Sequence, residues 1–216
     1  TIQEAIDAAS PGDTIYVYNG TYYEHLVVNK TVSLVGENRK TTVIDGNGNG
    51  TVVLITEIAP YVRISGFTIQ RGGTVYPDFS GVLEISSDNN VINGNNVMNA
   101  TAGIAIWMKS GNIVSGNNVA NNFYGIYLCG ASNNVIIENN STDNRAIGIF
   151  VLRCEGNNVS ENHLRNNSYG IRVSYADRNI ITRNHATNNS LGVCLEASTN
   201  NRISENNLHK NGVGIE

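Results

Sequence analysis

Three prolines, three cysteines and one tryptophan occur in 216 residues, and only 15% of the chain is charged. With a net charge of −4, nothing in the sequence resembles the basic stripe that a nucleic-acid binder needs to neutralise phosphates. No apolar run approaches the roughly 18 residues of a membrane-spanning helix, so no segment of the chain is expected to insert into a bilayer. No signal peptide is visible, but the chain opens at Thr1 and stops at Glu216 part-way into a repeat, so it reads as part of a longer one. The cysteines Cys129, Cys154 and Cys194 form no C-x-x-C pair.

What the sequence has in excess is asparagine, 35 of them, and they are spaced. From Gly81 onward, Gly103, Gly125, Gly148, Gly170, Gly192 and Gly214 open successive units of 22 residues, with one step of 23 before Gly148. Three asparagine columns follow the same steps. One is Asn90, Asn112, Asn134, Asn157, Asn179 and Asn201; the second is Asn95, Asn117, Asn139, Asn162, Asn184 and Asn206. The third is Asn122, Asn144, Asn167, Asn189 and Asn211, with Ala100 in its first place. A period in this range marks a solenoid, in which each unit packs only on its neighbours.

Within a unit, aliphatic residues alternate on three short runs, for example Ile149 and Val151, then Val159, then Leu164. Period-two patterning makes each run a strand with one inward face. Three inward faces per 22 residues enclose a stack of aliphatics. The expected fold is all-β: a right-handed parallel β-helix of three strands per coil. The asparagines then fall at corners, where they tolerate left-handed backbone and stack amide on amide. Their role is structural.

The chain reads as a single β-helix domain over residues 1–216. Residues 1–13 form a short capping helix and turn, with Ile2, Ala5, Ile6 and Ala9 at helical spacing before Pro11-Gly12-Asp13. Residues 14–80 form less regular coils, ending in a protruding loop over 71–80, and residues 81–216 form the regular repeats. At about 4.8 Å per coil, Cys129 and Cys194 lie about 14 Å apart. Cys129 and Cys154 lie about 8 Å apart, beyond the ~7 Å limit for a disulfide. Three free thiols are expected.

The opening Thr1-Ile2-Gln3-Glu4-Ala5-Ile6-Asp7-Ala8-Ala9, the Pro11-Gly12-Asp13-Thr14-Ile15 turn and Gly20-Thr21-Tyr22-Tyr23-Glu24 resemble the start of NosD-type right-handed parallel β-helix proteins. Asn29 to Gly36 and the Asn-Asn-x-Ile repeats continue the resemblance over essentially the whole chain. It implies modules (PbH1 repeats) found in archaeal and bacterial secreted and cell-surface proteins. The wider pectin-lyase-like superfamily holds polysaccharide lyases, hydrolases, epimerases and non-catalytic sugar binders. The founding member assists copper delivery, a role that the repeat pattern does not carry.

Candidate sites come from the columns that break the repeat. Outward positions of the Gly-Ile strand read Ala105, Tyr127, Phe150, Arg172, Cys194 and then Trp107, Cys129, Leu152, Ser174, Glu196, with Tyr124 and Tyr169 at the preceding turn. An exposed aromatic stripe marks a partner or ligand surface, and aromatic faces beside arginine suit sugar rings. Trp107, Tyr124, Tyr127, Phe150, Tyr169 and Arg172 are therefore the ligand-binding candidates. The competing reading is that the 71–80 loop or a neighbouring subunit covers this face.

His163 and His185 share a column and are the weak metal candidates, two ligands where a site wants three or four. The column Glu138, Glu161, Arg183, Glu205 reads as a surface ion-pair ladder on a convex corner. Among the N-x-Ser/Thr sequons, Asn19, Asn29, Asn49, Asn99, Asn166 and Asn188 are glycosylation candidates, whereas Asn139 belongs to a ladder.

Composition and resemblance together point to a non-catalytic extracellular or cell-surface module with a structural, adhesive or glycan-binding role. Its expected partners are glycans or neighbouring surface-protein subunits, with head-to-tail self-association as one mode. No cofactor is implied. The alternative is a carbohydrate-active enzyme, and a weaker one is a copper-accessory protein.

Overall fold

The computed structural model describes residues 1–73 and 81–216. Most of the loop expected over 71–80 thus lies outside the described residues. The chain winds as a right-handed parallel β-helix of about nine turns. Among the described residues each coil adds one strand to each of three nine-stranded parallel sheets. The first sheet runs from Thr14–Val17 to Arg202–Ser204, the second from Gly20–Tyr22 to Asn207–His209, and the third from Leu26–Val28 to Val213–Ile215.

The irregular early coils belong to the same three sheets. Ile64 pairs with Ile92 in register, and Phe67 takes the place of a ladder asparagine, its N–H donating to Asn95 Oδ1 at 3.1 Å. Register is fixed because a slip of one residue would turn every aliphatic outward. Inside, equivalent residues stack: Ile126 pairs with Ile149 and Ile149 with Ile171. One continuous aliphatic cluster runs from Ile2 to Val193.

The α-helix Ile2–Ala8 (α1) contributes Ile2 and Ile6 to that cluster. Thr1 and Glu4 form a capping box. Glu24 of the first coil accepts from the Ile2 and Gln3 N–H groups, both at 3.0 Å, and so pins the helix start to the solenoid.

The corners correct one expectation. The ladder asparagines do not carry the left-handed backbone; the residue before each of them does. Asn133, Glu138 and Asp143 have φ of 55°, 55° and 56°, immediately before Asn134, Asn139 and Asn144. The ladder side chain instead turns inward, where it satisfies corner groups that no strand reaches. Asn117 shows the pattern. Its Nδ2 donates to Ile92 O at 2.9 Å and to Asn139 Oδ1 at 3.0 Å, and its backbone N–H donates to the same Oδ1 at 3.1 Å.

The glycine column has a separate cause. A Cβ on Gly148 would stand 2.7 Å from the Gly170 carbonyl oxygen and 2.9 Å from Leu164 Cδ2. Gly148→Ala is expected to cost about 1–3 kcal/mol through overpacking, read as a lower urea midpoint. An unchanged midpoint would show that the coils can part to admit the methyl group.

Candidate functional site

The third sheet is the widest. From Ala102–Trp107 through Leu191–Glu196 its strands have six residues, against three in the first two sheets over the same coils. Its outer face therefore carries the largest continuous array of outward side chains, and the aromatic candidates all fall on it. Tyr127 stacks on Phe150 with ring centroids 5.4 Å apart and on Tyr124 at 5.6 Å, while Trp107 meets the Tyr127 ring edge-on at 5.3 Å.

The expectation of an exposed stripe is corrected at its centre. Tyr127 is 3% exposed and Phe150 9%, and with Ala102, Ala105 and Ile147 they form a second apolar cluster outside the sheet. Stacked rings one coil apart shield each other, so an outward column need not be an accessible one. Burial also pushes the Tyr127 hydroxyl above its usual range. Trp107, Tyr124 and Tyr169 are half-buried at the edge of this cluster.

The accessible part of the face lies toward the later coils, around Arg172. Its guanidinium sits over the Phe150 ring at 5.6 Å and the Tyr169 ring at 5.2 Å, within cation–π range. Arg172 Nη2 donates to Glu196 Oε2 at 2.6 Å, and Ser174 Oγ donates to the same oxygen at 3.0 Å. These bonds hold the Glu196 carboxyl below its usual range, the Arg172 bond contributing most. Arg172 Nε is buried and has no hydrogen-bond partner among the described residues. A ring-backed guanidinium whose side chain is 30% exposed can present its outer edge to a hydroxyl or carboxylate on a ligand.

Other candidates fall elsewhere. His163 and His185 stack with centroids 5.7 Å apart and ring planes at 24°. Glu161 and Glu205 flank Arg183, at 3.1 and 3.6 Å, as the ion-pair ladder requires. Glu138 and Glu161 do not sit on a purely convex corner, however: they line a shallow 440 Å³ cavity with both histidines. The side chains of adjacent coils make its walls. The sequon residues Asn99, Asn166 and Asn188 are exposed, as are Asn19, Asn29 and Asn49, whereas Asn139 is buried.

The three cysteines are free. Cys154 points into the core, and burial pushes its thiol up to about 12.

Sequence reasoning missed a groove along the corner between the second and third sheets. Two adjoining cavities of 720 and 730 Å³ share Asp143 and Arg145 and extend from Asn99 to Gly212. The signal was present in the residues before the third asparagine column, where Asp143 and Lys210 interrupt a run of asparagine.

The family model described as periplasmic copper-binding protein (NosD) matches residues 6–216. The chain belongs to the NosD family. No curated protein matches it. Among solved structures, this NosD-family chain is similar to an alginate lyase from Paenibacillus sp. str. FPU-7, at 14% identity and a TM-score of 0.68 over 98% of this chain and 95% of that one. A variant of the periplasmic alginate epimerase AlgG gives 17% identity and a TM-score of 0.62, over 96% and 67% of the two chains. The catalytic domain of a GH87 alpha-1,3-glucanase in complex with nigerose gives 15% and 0.65, over 86% and 40%. At these identities the likeness is one of fold, the pectin-lyase-like β-helix.

The residues present do not fit the copper that the family description names. Among the described residues, no three His, Cys, Asp or Glu side chains converge on one point. The stacked His163 and His185 oppose ring faces rather than nitrogen lone pairs. The one buried thiol, Cys154, stays protonated at neutral pH, whereas the thiolate is the ligand.

Proposed function

We propose that this NosD-family β-helix binds a polysaccharide, outside the cytoplasm, on the outer face of its third sheet around Tyr169 and Arg172, without cleaving it. The observation that carries the reading is the Arg172 guanidinium, held over two aromatic rings and tied to Glu196 with part of its side chain exposed. Sugar rings need this pairing of apolar ring faces with fixed hydrogen-bond groups. Trp107, Tyr124, Tyr127 and Phe150 act as the packed platform beneath and beside the contact. Structural neighbours that act on alginate or bind nigerose, and the periplasmic description of the family, support a glycan ligand and an extracytoplasmic site.

Glu196, the carboxylate beside the contact, is tied to Arg172 and Ser174 and held below its usual range, opposite to the raised pKa that the general acid of a glycoside hydrolase needs. The experiment is isothermal titration with alginate, pectate and alpha-glucan, with size analysis of the polymer afterwards. Binding without shortening is expected. Arg172→Lys should weaken it about tenfold, because the flat fork and its stacking are lost while the charge remains. Depolymerisation, or unsaturated uronate ends, would replace this reading with an enzyme; no binding to any polymer would end it.

A further inference from the structure

At the corner between the second and third sheets, Asn121, Asp143, Asn166, Asn188 and Lys210 all have φ between 55° and 58°. The left-handed conformation throws their side chains out of the corner, one per coil, as a row of polar posts. Two residues later in each coil Phe123, Arg145, Ser168 and Ser190 form the facing wall, and the buried ladder asparagines form the floor. The result is a groove parallel to the solenoid axis. Its rungs repeat about every 4.8 Å, comparable with the advance of one pyranose along an extended polysaccharide.

Its charges are unequal. The Asp143 carboxylate accepts from Asn166 Nδ2 at 2.8 Å. Arg145 and Lys210 are exposed and enter no ion pair among the described residues. They stand three coils apart, about 14 Å. Two uncommitted cations along a hydroxyl-and-amide groove, on a chain whose net charge is −4, make a local site for a polyanion that the rest of the surface repels. Ser168, on the groove wall, is followed directly by Tyr169 beneath Arg172, so groove and face share one lip.

We propose that this corner groove binds an extended, acidic linear glycan along the solenoid axis, one sugar per coil, with acid groups at Arg145 and Lys210. The proposal rests on the polysaccharide-binding reading and adds the ligand's charge, direction and length.

The test is titration of size-defined oligouronates and neutral gluco-oligosaccharides into the wild type, the Arg145→Ala/Lys210→Ala double variant and Arg172→Lys, with thermal melts of each. Both groove residues are exposed, so the double variant should melt like the wild type. Affinity for oligouronates should rise with chain length up to about the six corners from Asn99 to Lys210, fall with salt, and drop at least tenfold in the double variant. Neutral oligomers should bind weakly and unchanged. An undiminished affinity in the double variant, with Arg172→Lys still impaired, would overturn the groove and leave the face. Neutral oligomers binding as well as acidic ones would overturn the acidic class. Failure of every oligomer and polymer to bind the wild type would overturn both readings.

Discussion

Replacing Ile149 with aspartate is expected to prevent folding, seen as loss of the β-strand circular dichroism signal and of any cooperative melt. Ile149 is fully buried between Ile126 and Ile171, with one coil above and one below. Truncating such a side chain costs about 2–5 kcal/mol. A carboxylate in its place adds several more, because no donor inside the aliphatic stack can hydrogen-bond it. Domains are stable by only about 5–15 kcal/mol. In a solenoid the damage spreads, since each coil is stabilised by its neighbours alone. A soluble variant with the wild-type spectrum and melt would mean that the stack opens at this point and that the core is not continuous.

Asn139→Ala should be among the most damaging of the polar truncations. The side chain accepts from the Asn117 backbone N–H at 3.1 Å and from Asn117 Nδ2 at 3.0 Å. It donates to Val114 O at 2.8 Å, Ile137 O at 3.0 Å and Asn162 Oδ1 at 3.1 Å. Removing it strands at least one buried N–H and one buried carbonyl, each costing about 1–3 kcal/mol, so a loss of about 3–5 kcal/mol is expected. Asn140 is the control: the same residue type, one position on, exposed, and with no side-chain hydrogen bond among the described residues. Asn140→Ala should change stability by less than about 0.5 kcal/mol. Equal losses for the two would remove the distinction between ladder and surface asparagine.

These residues also show what was legible in the sequence. The 22-residue spacing, the alternation of Ile149 and Val151, and the asparagine columns each follow from a local rule, so they led to the coil, its three sheets and its ladders. The turn chemistry was assigned one residue too late. Asparagine is frequent on both sides of the step; Gly94, Gly111, Gly116 and Gly156, which hold the left-handed position in their coils, carried the signal, while Glu138, Glu161, Arg183 and Glu205 at the same position obscured it. The burial of Tyr127 and Phe150 was not legible either, because period-two patterning says which way a side chain points and not what lies over it. The corner groove is a property of six successive coils, and no single repeat contains it.

The polysaccharide reading stands on Arg172, and its Nε–H gives a direct observable. In a titration of the isotopically labelled protein with the polymer that binds, the Arg172 Nε–H resonance should shift and saturate together with the calorimetric binding curve. A ligand that saturates while this resonance stays in place would contradict the account, because the polymer would then be bound elsewhere on the solenoid.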